Sequence, residues 1–172
     1  NMHTLLHWGT DAQKEKYLRP LCEGVKMSCF AMTEPEVAGS DPTLIRTTAV
    51  QDGDEWVING HKWFISNARR ASFAILLART EDNPDLPQAA NTAFLVDIPS
   101  DGWNRVREVE TMHGGTGHSE IVIEDLRVPN ENILGGRGQG HMLGQYRLGP
   151  ARLAHCMRWI AQAETALDMM VD

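Results

Sequence analysis

Two stretches of this 172-residue sequence carry residue types that suit the holding of a polar, planar ligand. The first is Phe30-Ala31-Met32-Thr33-Glu34-Pro35-Glu36-Val37-Ala38-Gly39-Ser40-Asp41. Its small residues, hydroxyls and glycine let backbone N–H groups approach a ligand and donate to it. The second, Gly60-His61-Lys62-Trp63-Phe64-Ile65-Ser66-Asn67, sets aromatic faces beside a hydroxyl donor. Taken singly, the first also reads as a turn between strands and the second as the wall of a core.

Other constellations fail on spacing. Gly136-Arg137-Gly138-Gln139-Gly140 has glycines but lacks G-K-[ST] and the acidic strand end of a dinucleotide fingerprint, so it reads as a connector. His3 and His7 stand four apart without the glutamate of H-E-x-x-H. His113 and His118 fall in a glycine-rich turn that reads as exposed loop, and no G-x-S-x-G elbow occurs. The carboxylates are scattered over turns, which gives no support to a paired-carboxylate hydrolase. Cys22, Cys29 and Cys156 are odd in number and lack C-x-x-C spacing, the pattern of reduced thiols rather than of disulfides or zinc.

The elements that must position the two stretches are mostly strands. Thr10 or Asp11 can cap a helix over residues 11–19, with Pro20 and Gly24 marking its exit. From about Ser28 to Val128 come short strand-like runs at 47–50, 55–58, 61–66, 72–78, 92–97, 103–107 and 119–124. The pairs Asp52-Gly53 and Asn59-Gly60 read as hairpin turns, and residues 81–91 as a loop. Many short strands with frequent turns favour an antiparallel barrel or sandwich. From about His141, Leu148, Leu153, Met157, Ile160, Leu167 and Val171 recur at helical spacing, with Pro150 a candidate kink. The expected fold is α+β: a helix-ended segment 1–26, an antiparallel β-barrel-like middle 27–130, and a connector with a long helix 131–172.

In order, the T-E-P…G-S-D loop, the I-N-G-x-K-W-x-I-S-N strand and the strand end Leu77-Ala78-Arg79-Thr80 resemble the middle domain of acyl-CoA dehydrogenases. Glu124-Asp125-Leu126-Arg127-Val128-Pro129 resembles that family's lead into its C-terminal helical domain, and Gly9-Thr10…Gly24 the last helix of its N-terminal domain. Arg147-Leu148-Gly149-Pro150-Ala151-Arg152 with His155-Cys156-Met157-Arg158 is similar to the branch of family members 10 and 11. The resemblance implies FAD as cofactor, an acyl-CoA substrate, an electron-transfer flavoprotein or similar acceptor, and a place in fatty-acid β-oxidation. It implies that Phe30, Ala31, Met32 and Thr33 run beside the isoalloxazine, with backbone groups and the Thr33 hydroxyl on its pyrimidine edge. Phe64, Ile65 and Ser66 would lie on the second strand, the Ser66 hydroxyl near N5. Ser40 and Arg152 would meet the CoA portion. Relatives commonly have Trp at the place of Phe64, Thr at that of Ser66 and Asp at that of Gly149. The catalytic base it implies is a glutamate beyond residue 172; Glu164 does not match that position, so a chain of this extent is expected to be inactive alone.

Composition narrows the setting. A net charge of −7 argues against a nucleic-acid partner, which needs a basic patch. No apolar run reaches the ~20 residues of a membrane span, and residues 1–4 lack the features of a signal peptide, which favours cytoplasm. A start on Asn1 could hide a mitochondrial or peroxisomal address. The uncovered apolar stripe of the long helix points to homo-oligomerisation or further helices. Two other readings stay open: an acyl-CoA oxidase or flavin monooxygenase on the same scaffold, and a non-catalytic CoA-ligand or interaction module.

Overall fold

A computed structural model of the chain describes residues 1–82, 84–112, 114–115 and 117–171. It opens on α1 (Met2–Trp8) and α2 (Asp11–Gln13), the latter capped as expected. The Thr10 hydroxyl accepts from the Gln13 N–H, and the Gln13 side chain accepts from the Thr10 N–H. A π-helical turn at Lys14–Leu18 then leads into α3 (Arg19–Cys22). Helical backbone is continuous from α2 through the π-helical turn into α3, and Pro20, expected at the exit, falls two residues before this run ends at Cys22. Gly24, at φ 73°, makes the actual exit.

Eight strands follow: β1 (Ser28–Ala31), β2 (Thr48–Asp52), β3 (Glu55–Ser66), β4 (Phe73–Arg79), β5 (Asn91–Asp97), β6 (Trp103–Glu108), β7 (His118–Pro129) and β8 (Ile133–Leu134). Their order is β6-β7-β3-β2-β4-β5-β8, with β1 paired to β4. The chain ends in α4 (Gly140–Val171), continuous through Pro150. The α+β class and the flanking helices match expectation. Strand pairing departs from a purely antiparallel sheet, because β1 and β2 both run parallel to β4. Among the described residues no pairing joins the edges β6 and β8, so the sheet is not closed between them.

The sheet nevertheless curls. One buried cluster takes Ala31, Ile58, Leu76, Phe94, Trp103 and Ile121 from six different strands. Trp56 of β3 meets Phe94 of β5 with ring centroids 5.6 Å apart, although β2 and β4 separate those strands along the sheet. The outer face of β4 and β5 carries Phe73, Ile75, Leu77, Ala93 and Leu95 against Leu5, Tyr17, Leu21 and Leu143 of the helical segments. Period-two alternation therefore serves two cores, and β4 reads as an unbroken apolar run because both its faces are buried.

Asn59-Gly60 is not a hairpin turn. It lies within β3, where the register against β7 shifts between Ile58 and Gly60. The glycine is required because Thr47 fills the space a Cβ would occupy, its Oγ1 2.2 Å and its Cβ 2.6 Å from that point. Gly60→Ala is expected to cost about 1–3 kcal/mol by overpacking. Urea melts would check this, and an unchanged midpoint would contradict it. Gly53, at φ 62°, does turn β2 into β3 as expected.

Candidate functional site

The two chemistry-bearing stretches meet because β3 changes partners near its end. Its register against β7 slips between Lys62 and Ile65, and Phe64 takes φ 53°, a rare conformation for a bulky residue. Trp63, released from β7, pairs with the segment after β1. Its N–H donates to Thr33 O at 3.0 Å, and its carbonyl accepts from Thr33 Oγ1 at 2.6 Å. The bulge leaves Phe64 42% exposed, an aromatic side chain presented outward while its neighbour Ile65 is buried. Such backbone strain costs of order 1–3 kcal/mol and persists where the surroundings over-determine it.

Phe30, Met32, Thr33, Phe64 and Ser66 line one cavity of about 440 Å³. Ala31 and Ile65, adjacent in sequence, point into the core instead, as strand alternation requires. Ser40 and Arg152 do not line the cavity; both are exposed, and Arg152 donates to Gln145 Oε1 at 3.1 Å. The Thr33 hydroxyl donates to Trp63 O, so toward a ligand it presents lone pairs, not a proton. Ser66 Oγ stands 3.0 Å from His118 Nδ1. His113 and Thr116 of the same glycine-rich turn lie outside the described residues.

Sequence reasoning missed Arg147, the one charged side chain among the described residues lining the cavity. Its guanidinium carbon lies 4.3 Å from the Phe30 ring centroid, and its Nε donates to Asn1 Oδ1 at 3.1 Å. Burial lowers its pKa from the ordinary guanidinium value. Five residues of α-helix separate Arg147 from Arg152, which turns them about 140° apart on the helix. Periodicity alone could not say which of the two faces inward.

A second omission is the charge pair behind the cavity. Lys62 Nζ lies 2.8 Å from Glu34 Oε1, with side chains 0% and 1% exposed. Lys62 also donates to Met32 O at 3.0 Å. Glu34 accepts from the Thr47 hydroxyl at 2.6 Å, the Thr47 N–H at 2.9 Å and the Arg46 N–H at 2.7 Å. Burial alone would push the Glu34 carboxyl up; Lys62 and these donors outweigh it and hold it below the usual range. Burial brings the Lys62 ammonium down to about 8 against the pull of Glu34. The "T-E-P" and "H-K-W" spellings contain both residues, but charged side chains in polar stretches give no sign of burial.

His61 ties the loop to the sheet. Its Nδ1 is 2.7 Å from Glu36 and its Nε2 2.8 Å from Glu120, which also pairs with Arg107. Burial pulls the imidazole pKa down, but the two carboxylates outweigh it and raise it. A raised histidine pKa contributes stability that is present below about 6.5, the unfolded value, and lost as pH rises through the folded one. The stability gap between wild type and His61→Gln is therefore expected to be widest in mild acid and to close in alkali. Thermal midpoints across pH would check this; a gap that grows with pH would contradict it.

Comparison with known proteins then places the chain. Residues 29–126 match the family model "Acyl-CoA dehydrogenase, middle domain". The chain belongs to the acyl-CoA dehydrogenase family. It is 39% identical over 99% of its length to acyl-CoA dehydrogenase family member 11 of Gallus gallus, spanning 23% of that protein. It is 42% identical over its whole length to a probable acyl-CoA dehydrogenase, FadE2, of Mycobacterium tuberculosis, spanning 43% of it. A putative acyl-CoA dehydrogenase from Mycobacterium abscessus superposes with a TM-score of 0.88 at 38% identity, over 98% of this chain and 42% of that one. The chain thus spans less than half the length of these relatives. Among the described residues no helix is long and apolar enough to cross a membrane, and no cluster of potential metal ligands occurs.

Proposed function

We propose that the full-length protein binds FAD in the cavity and dehydrogenates an acyl-CoA thioester between Cα and Cβ. The observation that carries this reading is the shared cavity wall: Thr33 and Ser66, from separate segments, border it together with the outward Phe64 ring. A planar aromatic ligand with one polar edge fits such a lining, and the volume of about 440 Å³ admits a tricyclic ring. When bound, FAD supplies the two-electron acceptor for the β-hydride. The Thr33 oxygen accepts from, and its backbone N–H donates to, the ligand's polar edge. Phe64 offers its ring, and the Ser66 hydroxyl fixes in-plane orientation. Arg147 contributes a positive charge to the lining, beside the Phe30 ring. Ser40 and Arg152 meet the CoA moiety where it passes over the exposed loop and helix. The α-proton goes to a glutamate supplied outside this chain. An electron-transfer flavoprotein or similar acceptor would serve as the redox partner, in the cytoplasm, with copies of the protein associated.

The full-length protein should purify yellow and bleach when acyl-CoA is added without oxygen, then recolour slowly in air. Rapid recolouring would identify an oxidase or monooxygenase. A colourless preparation that takes up no FAD would contradict the reading and favour the non-catalytic module. Ser66→Ala is expected to keep FAD but slow anaerobic bleaching about tenfold, equivalent to about 1.4 kcal/mol. Stopped-flow absorbance would measure it, and an unchanged rate would remove Ser66 from the mechanism.

A further inference from the structure

The Glu34–Lys62 pair is more than ballast in the core, because of where Lys62 places its second hydrogen bond. The acceptor is the carbonyl of Met32, 3.0 Å from Nζ. That carbonyl belongs to the same peptide unit as the Thr33 N–H. Among the described residues, no protein acceptor meets this N–H, whereas the Thr33 carbonyl is taken by the Trp63 N–H and its hydroxyl by Trp63 O. Thr33 is also one of the residues that border the cavity. The peptide therefore has a buried ammonium on its oxygen and a free donor on its nitrogen.

A cation on a peptide oxygen draws electron density from the nitrogen, and hydrogen bonds in series strengthen one another. The effect is largest where water is excluded, as it is around a lysine with 0% exposure. Glu34 fixes Lys62 rather than cancelling it. Its carboxylate is shared with the Thr47 hydroxyl and two backbone N–H groups, so its charge is spread over four donors.

We propose that Lys62, held by Glu34, polarises the Met32–Thr33 peptide so that the Thr33 N–H becomes a strong donor to a carbonyl oxygen on the ligand's polar edge. Lys62 is thus a positioning and tuning residue that never touches the ligand. This rests on the reading of the cavity as a flavin site. An edge carbonyl gains negative charge when the ring system is reduced, and a charged-up donor there favours the reduced form. The device thus raises the reduction potential of the bound flavin, which drives electron removal from a saturated acyl chain.

The test uses the full-length protein loaded with FAD and the double variant Glu34→Gln/Lys62→Met, which removes both charges with an isosteric amide at 34 and an unbranched side chain one atom shorter at 62. At a fixed reference-dye potential, the ratio of reduced to oxidised flavin should fall about tenfold, equivalent to about 30 mV for two electrons. Infrared difference spectra of wild type with FAD labelled at its two pyrimidine carbonyls give a readout that needs no variant. One labelled band should lie below its position in free FAD, and should move back up in the double variant. An unchanged ratio with unshifted bands would overturn the proposal while leaving the flavin site intact. If the double variant fails to fold, the wild-type band position decides: unshifted, it overturns the proposal. Wild type that binds no FAD at all would overturn the flavin reading, and this inference with it.

Discussion

Lys62→Met is expected to cost about 3–5 kcal/mol, a large part of a typical domain's stability. The loss comes from what remains, not from the vanished attraction. Without Lys62, Glu34 keeps a buried charge, and its carboxyl is pushed toward protonation among donors arranged for an anion. Met32 O also loses the Lys62 donor. Neutralising both partners should hurt less, because replacing a whole buried pair removes two desolvation costs at once. Urea denaturation of Lys62→Met, Glu34→Gln and the double variant forms a closed cycle. The expected coupling is about 1–3 kcal/mol in favour of the double variant. Strict additivity would mean that the two side chains do not share one fate.

Phe94→Ala should cost a similar amount, about 3–5 kcal/mol, for a different reason. Phe94 is 0% exposed and its ring touches Trp56 from across the curl of the sheet. Truncation leaves a cavity lined by residues held on different strands, which cannot all move inward together. Trp56 is itself anchored, its indole N–H donating to Asn130 Oδ1 at 2.6 Å. It is therefore not free to collapse into the void. Loss of under about 1 kcal/mol in a urea melt would mean that the two halves of the sheet do not lean on each other as described.

Much of this architecture was legible because local rules and tertiary demands agree. The Thr10 cap, the Asp52-Gly53 turn and the apolar runs of β4 and β5 each state their structure in a few residues. The errors occur where a distant residue overrides a local one. Asn59-Gly60 spells a turn, but Thr47 makes glycine a matter of clearance inside a strand. Pro20 spells an end, and the helical run does stop two residues later at Cys22, the π-helical turn upstream carrying the helix just past the expected limit at Arg19. The two-residue β8 has no pattern long enough to detect.

The candidate site divides in the same way. Thr33, Phe64 and Ser66 were visible as hydroxyls and a ring in two adjacent motifs, and they do border one cavity. What joins them is the bulge at Trp63 and Phe64, a backbone event with no glycine to announce it. Arg147 and the Glu34–Lys62 pair were invisible because only packing distinguishes a buried charge from a solvated one.

The most direct test of the flavin reading is a crystal structure of the full-length protein grown with FAD. The expected result places the isoalloxazine against Phe64, with the Thr33 N–H and the Ser66 hydroxyl within hydrogen-bonding distance of its polar atoms. A flavin bound elsewhere, or protein side chains filling the space between Thr33 and Ser66, would contradict it.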